Sequence, residues 1–165
     1  MSDNAAASLK RLLVEEFGNI YESHGFPRLK GLIVGLLLAE NEPQSLDDMA
    51  QALGRSKGPI STTVRELANM GLIRKVEGPE NRRDYYVAHA DIFHNNFKFN
   101  MLSVRRNKAV AEEFLRKMHG VGATGSVITN LEHMQLFYQL MESFYERFSA
   151  EWEQTRKEKH LDERG

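Results

Sequence analysis

The sequence predicts a mainly α-helical fold with one small β-hairpin. Apolar residues recur at helical spacing near the N-terminus, and two β-type runs at 72–77 and 84–88 flank a polar turn. The C-terminal third repeats its apolar residues in alternating steps of four and three, which is typical of a long helix. The longest apolar run, residues 31–39, is far shorter than the roughly 20 residues of a membrane span, so we expect no membrane partner.

Start and stop residues delimit the first two helices. The first is predicted over about residues 5–24 and ends at Gly25. Pro27 then opens a second helix over residues 28–39, because proline suits the start of a helix as glycine suits its end. The second helix is almost wholly apolar, which predicts that it lies in the core.

Two short helices follow in the middle of the chain. Ser45 caps the first, with Asp48 three residues later as the carboxylate of a capping box, and Gly54 ends it. Ser56 is the predicted cap of the second, which stops at Gly71. Two such helices followed at once by a hairpin with a basic turn have the layout of a winged helix-turn-helix.

The second of these helices has an apolar face and a polar face. Ile60, Val64 and Leu67 are spaced at i, i+4 and i+7 and must face the core. The other positions, together with the hairpin, present hydroxyl and basic side chains that suit contacts with DNA bases and phosphates. The predicted DNA-binding residues are Ser56, Lys57, Ser61, Thr62, Arg65, Lys75, Arg82 and Arg83.

Charge is concentrated in this region. Residues 54–86 contain seven basic and four acidic residues, a local net charge of +3 in a chain whose total is −1, which leaves −4 for the rest. Phosphate binding responds to local charge density rather than to the total. The distribution therefore predicts duplex DNA as a partner of this region.

Three segments of the chain resemble a known family. Residues 54–61 (GRSKGPIS), 64–75 (VRELANMGLIRK) and 80–87 (ENRRDYYV) resemble the MarR-type winged-helix regulators, and most closely the branch named for the regulator of glycine betaine synthesis, GbsR. The resemblance is good over residues 28–88, and in the flanking helices only the layout agrees. It implies a homodimeric transcriptional regulator, often a repressor and sometimes released by a small ligand. We expect a cytoplasmic location, with which the absence of cysteine is compatible.

The resemblance also implies roles for individual positions. The exposed face of the recognition helix corresponds to residues 56–65 and the wing tip to Arg82 or Arg83. MarR-type wings usually have Asp two residues before the wing arginine. This chain has Glu80 at that place instead, and the resemblance implies an ion pair that stiffens the wing. The chain contains no cysteine, so thiol sensing is excluded.

The last helix carries an unbroken heptad pattern, here called the heptad seam. Its residues are Val127, Leu131, Met134, Tyr138, Met141, Tyr145, Phe148 and Trp152. A helix that packs on its own domain explains such a pattern, but more than three heptads are typical of subunit pairing, which we favour. The predicted dimer interface consists of Leu131, Met134, Tyr138, Met141, Tyr145, Phe148 and Trp152.

These features predict three regions. Residues 1–26 form an N-terminal dimerisation helix, residues 27–90 a winged helix-turn-helix DNA-binding domain, and residues 91–165 a C-terminal helical dimerisation region. The predicted fold class is thus mainly α with a small β-wing, in which a winged helix-turn-helix domain is flanked by dimerisation helices. The predicted function is sequence-specific DNA binding. The alternative is a winged helix that binds proteins and no DNA, which the basic helix face and the arginine pair disfavour.

Signals for catalysis or cofactor binding are weak. Residues 120–125 (GVGATG) match a dinucleotide-binding pattern, but helix rather than strand precedes them, so a flexible joint between helices is the better interpretation. His89 and His94 are five residues apart and do not share a helical face. No nucleophile has a recognisable context. We therefore expect no catalytic residue, no metal and no cofactor.

Aromatic residues cluster in the C-terminal half. Ten of the fifteen lie between Phe93 and Trp152. Packing in the dimer core is the simpler interpretation. The alternative is a cavity in which aromatic faces hold a small cationic effector ligand, near the N-terminal helix, residues 93–99 and the last helix.

Overall fold

The computed structural model describes residues 2–161. Over this range the chain forms six α-helices and three short β-strands, and it divides after Ile92 into two compact units. The elements are α1 Ser2–Ser23, α2 Arg28–Ala39, β1 Gln44–Ser45, α3 Leu46–Leu53, α4 Lys57–Asn69, β2 Ile73–Val76, β3 Tyr85–Ala88, α5 Ile92–Gly120 and α6 Ser126–Glu158. The predicted fold class, mainly α with a small β-wing, is confirmed.

The first unit is built around α2. Eight of its twelve residues are buried, so other elements surround this helix, as its apolar sequence predicts. α1 packs closely against it because Gly31 and Gly35 carry no side chain at the crossing: a Cβ on either would collide with Phe17. Among residues 2–161, no helix combines the length and apolar character needed to cross a bilayer.

The turn between α3 and α4 is fixed by local hydrogen bonds. The backbone N–H of Ser45 donates to Asp48 Oδ2 at 2.8 Å, and the N–H of Asp48 donates to Ser45 Oγ at 3.2 Å, which completes the predicted capping box. The Ser45 hydroxyl also donates to Asp48 Oδ2 at 2.7 Å. This bond and the bond from the Ser45 backbone N–H lower the pKa of the Asp48 carboxyl below its ordinary 3.8. Gly54 ends α3 with φ 59°, a left-handed conformation that favours glycine.

The sheet has three strands, where the sequence predicted a two-stranded hairpin. β2 pairs antiparallel with β3, with Lys75 opposite Tyr86. β1 pairs on the other edge of β3, with Ser45 opposite Tyr85, so β3 is the central strand. β1 was missed because two residues are too short to show the period-two pattern of a strand.

The second unit is a helical hairpin of α5 and α6. The ring of Phe97 stacks on Tyr145 with centroids 4.2 Å apart and lies 4.6 Å from Phe148. Glu142 of α6 accepts hydrogen bonds from Arg105 Nε at 2.8 Å and from Lys108 Nζ. The GVGATG segment joins the two helices rather than following a strand, as the interpretation of a joint requires.

Candidate nucleic-acid interface

The rotation of α4 is set by its apolar residues. Ile60, Val64 and Leu67 are buried in the core of the first unit, which turns the opposite side of the helix to solvent. The side chains on that side recur in steps of four, three and four. They are Gly58, Thr62, Arg65 and Asn69, all exposed and here called the outward face. This face offers a hydroxyl, a guanidinium and an amide, which are groups that read base edges in the major groove.

The structure places the predicted α4 residues differently from one another. Thr62 and Arg65 lie on the outward face, as expected. Ser61 is half-buried on the flank, and Ser56 precedes the helix at the N-cap position without a side-chain capping hydrogen bond. Lys57 lies at the helix start, where its Nζ pairs with Asp47 of α3 at 2.9 Å.

The outward face also includes two residues that the sequence analysis did not select. Asn69 lies seven residues after Thr62, two helical turns further along the same side. Its position was readable from the spacing of Ile60, Val64 and Leu67, since residues opposite an apolar stripe share a face. Gly58 has open space where a Cβ would stand, so the backbone there is accessible.

The wing is the hairpin formed by β2, β3 and the turn between them. Its charged residues are partly neutralised: Lys75 Nζ lies 2.6 Å from Asp84, and Arg83 Nε lies 3.2 Å from Glu80. The Asp84 carboxylate raises the pKa of Lys75 by accepting its hydrogen bond. The resemblance implies an ion pair between the wing arginine and an acid two residues before it, which for Glu80 would be Arg82. In the structure Glu80 pairs with Arg83 instead. Arg82 makes no ion pair within the described part of the chain.

The ion pairs divide the basic residues of this region into two groups. Lys57, Lys75 and Arg83 each have a carboxylate partner. Four exposed arginines of residues 54–86 have no ion-pair partner within the described part of the chain, namely Arg55, Arg65, Arg74 and Arg82. Arginine without a partner is available to phosphates and guanines at no cost of breaking an existing pair. The second group is the better candidate for first contact with a polyanion.

The second unit exposes apolar surface beside the heptad seam. None of the residues of α6 is fully buried, and the seam residues are half-buried or exposed. Tyr145 and Phe148 contact Phe97 of α5, so part of the seam is used inside the chain. A second, exposed row on α6, here called the outer stripe, consists of Leu136, Phe137, Leu140 and Phe144. The side chains of these residues are 53–62% exposed, and large exposed apolar patches of this kind are typical of interaction surfaces.

An aromatic pocket lies within the second unit. Its volume is about 190 Å³, and its walls are almost entirely apolar. The residues that line it are Phe93, His94, Phe97, Phe148 and Trp152. Aromatic faces around a small space can hold a cation or a flat apolar group.

Comparisons with known proteins agree with this geometry. The family model described as HVO_A0114 matches residues 36–94. MmpR5 of Mycobacterium tuberculosis (strain ATCC 25618 / H37Rv), an HTH-type transcriptional regulator, is 39% identical over 74 residues, which are 44% of this chain and 45% of that protein. GbsR of Bacillus subtilis (strain 168), an HTH-type transcriptional repressor, is 26% identical over 89 residues, 54% of this chain and 49% of that protein.

One solved structure matches most of the chain. It is described as a transcriptional regulator, and it aligns with a TM-score of 0.76 at 27% identity over 88% of this chain and 98% of its own. The chain spans about half the length of the curated relatives it matches. These matches confirm the predicted resemblance to MarR-type winged-helix regulators, GbsR included, and the named relatives are regulators rather than enzymes.

Proposed function

We propose that this chain, whose sequence and fold resemble those of MarR-type winged-helix regulators, binds specific duplex DNA as a homodimer and represses transcription. The observation that carries the proposal is the outward face of α4, where Thr62, Arg65 and Asn69 stand opposite a buried apolar stripe. A helix with such a face fits the major groove. Arg82 on the adjacent wing supplies a second cation for the backbone or the minor groove.

Exposed apolar surface on two helices supports the pairing of two chains. The outer stripe of α6 is one support for pairing, because large exposed apolar side chains gain free energy when a second surface covers them. α1 is another, with Leu9, Leu12 and Ile20 exposed. The seam residues that α5 leaves half-exposed would join the interface of the outer stripe. A two-fold dimer addresses half-sites about 10–10.5 bp apart or a multiple of that distance.

A small effector is the most specific part of the proposal. The aromatic pocket of the second unit is smaller than a typical drug site and suits a small cation such as a quaternary ammonium. Choline and glycine betaine are the compounds to titrate, by calorimetry on the free protein and on its DNA complex. Trp152→Ala should abolish any heat of binding, whereas the solvent-exposed Gln139→Ala on the same helix should not. Binding that survives Trp152→Ala would place the ligand elsewhere.

Repression and a cytoplasmic location follow from the same role. GbsR is named a repressor, which supports that sign of regulation for a similar chain. A protein that covers a promoter blocks polymerase, so repression needs no further contact surface. A cytoplasmic location is part of the same proposal.

Selection of sequences from random duplex DNA by the purified full chain tests the proposal. We expect enrichment of a motif with two related half-sites at the spacing given above. If the protein binds DNA but the recovered duplexes share no motif, sequence-specific binding would be refuted. Absence of binding to any duplex at low salt would overturn the DNA-binding role and favour a winged helix that binds proteins.

A further inference from the structure

A cleft separates the wing from the start of α3 and α4. Its volume is about 220 Å³, and three cationic side chains border it: Lys57 from α4, and Arg82 and Arg83 from the wing. Asp47 and Asp84 also line it. Cations from two separate elements thus converge on one space next to the outward face, which is a suitable arrangement for a single phosphate group.

Asp47 forms an ion pair with the lysine of this cleft. Its two carboxylate oxygens lie 2.9 Å and 3.1 Å from Lys57 Nζ, and both side chains are about half exposed. The cap of α3 does not use this carboxylate, since Ser45 and Asp48 make the capping box between themselves. The carboxylate of Asp47 therefore stands where the oxygens of a phosphate would bind the ammonium group.

We propose that the cleft binds one DNA backbone phosphate and that Asp47 competes with that phosphate for Lys57. The inference rests on the proposed function and identifies a further residue that sets its affinity. When DNA arrives, Lys57 exchanges Asp47 for the phosphate, and Arg82 supplies a second contact without breaking an ion pair. Asp47 lowers affinity in this exchange, because its carboxylate is left without a partner beside the polyanion.

The competition between Asp47 and the phosphate does not depend on the base sequence of the duplex. A phosphate contact carries no base identity, so removal of Asp47 should tighten binding to selected and unrelated duplexes alike. It should also increase the salt dependence. In the wild type the ammonium of Lys57 leaves one anion for another, whereas in Asp47→Asn it is free to displace a condensed counterion from DNA.

The test compares the wild type, Asp47→Asn, Lys57→Ala, the double variant and a control on a duplex chosen by the wild type and on a scrambled duplex, with anisotropy measured over a range of salt. Asp47→Asn should bind both duplexes roughly three- to tenfold more tightly at about 0.1 M salt, with a slope of log K against log [salt] steeper by about one per subunit. Lys57→Ala should bind more weakly. In the double variant, Asp47→Asn should add little, because its effect acts through Lys57.

Glu77→Gln is the matched control. It removes the same charge from the exposed start of the wing turn, where the described residues show no ion pair with Glu77. A gain by Asp47→Asn no larger than that of Glu77→Gln, or a gain that persists at full size in the Lys57→Ala background, would overturn the inference and leave DNA binding intact. Failure of the wild type to bind either duplex would instead refute the proposed function.

Discussion

Arg65 combines two properties that the other basic residues of residues 54–86 do not share together. It lies on the outward face of α4, and it has no ion-pair partner within residues 2–161. We predict that Arg65→Ala weakens binding to the selected duplex by about 1–3 kcal/mol and relaxes the preference at one base pair, since arginine forms two hydrogen bonds with guanine. Binding to a panel of single-base variants of that duplex measures both effects.

Lys75→Ala is the control for this prediction. Lys75 also carries a positive charge near the interface, but Asp84 pairs with it. Its replacement should cost less affinity and should change the base preference at no position. An equal loss from both variants, with unchanged base preference, would show that Arg65 contributes only charge.

The two wing arginines should also differ. Arg83 is paired with Glu80 at 3.2 Å, whereas Arg82 has no such partner in the described chain. We predict that Arg82→Ala weakens binding several-fold on all duplexes and that Arg83→Ala weakens it less, because Arg83 has to break its ion pair with Glu80 before it can contact a phosphate and so contributes less to affinity. Anisotropy with selected and scrambled duplexes measures the two losses. The reverse order would assign the backbone contact to Arg83.

At the scale of single elements, the capping box of α3 positions the helix that supports α4. Ser45→Ala removes both hydrogen bonds of the Ser45 hydroxyl with Asp48 and should lower the free energy of unfolding by about 1 kcal/mol at neutral pH. Urea unfolding monitored by circular dichroism measures the change. Ser103→Ala, at an exposed position inside α5, is the control and should change it by less than about 0.5 kcal/mol.

The stabilisation that the capping box provides depends on pH. Because its hydrogen bonds lower the pKa of Asp48, the ionised carboxylate stabilises the fold above the ordinary pKa of 3.8, and this stabilisation is lost as the pH falls through the lower value of the folded state. The difference in the free energy of unfolding between the wild type and Ser45→Ala should therefore become smaller at acid pH. A difference that stays constant from neutral pH to about pH 3 would show that the carboxylate does not contribute.

The outer stripe of α6 makes a prediction about assembly. Leu140 is 62% exposed and Phe144 is 53% exposed, so a charge at either site should spare the hairpin and disrupt only a surface that covers the stripe. We predict that the double variant Leu140→Lys with Phe144→Lys is a folded monomer by light scattering at micromolar concentration. Gln139→Lys, beside the stripe, should remain dimeric. A wild type that is itself monomeric would refute the homodimer.

This test avoids an ambiguity of the heptad seam. Tyr145 stacks on Phe97 in the same chain, so a lysine there would disturb the hairpin as well as any interface. A loss of assembly after such a change would have two explanations. The outer stripe separates them, because its residues have large exposed areas in the single chain.

At the scale of the whole molecule, a small net charge coexists with a basic region. The chain carries −1 in total, so attraction to DNA depends on where the charges lie. If each subunit neutralises about three to five phosphates, the slope of log K against log [salt] for the dimer should be on the order of −5 to −9. Arg82→Ala should make the slope less steep by about one per subunit. A flat salt response would refute phosphate contacts as the source of affinity.

The sequence by itself determined the order of the helices and of the hairpin strands, and it carried the resemblance to MarR-type winged-helix regulators. Glycine and proline at helix boundaries, the capping pattern at Ser45 and the periodicity of α4 are local properties, and local hydrogen bonds and backbone preferences satisfy them. The apolar spacing of Ile60, Val64 and Leu67 likewise fixed which residues of α4 face solvent. Thr62 and Arg65 were found in this way, and Asn69 was available from the same pattern.

Tertiary structure decided which charges are free and which apolar faces are used. Lys57 and Asp47 are ten residues apart, and no periodicity indicates that α3 and α4 bring them within 2.9 Å. In the same way, a heptad pattern shows that a helix packs on a partner but not whether that partner is Phe97 of the same chain or a second subunit. The reason is physical: sequence spacing records the direction of a side chain from its own helix, whereas a contact depends on the position of another element.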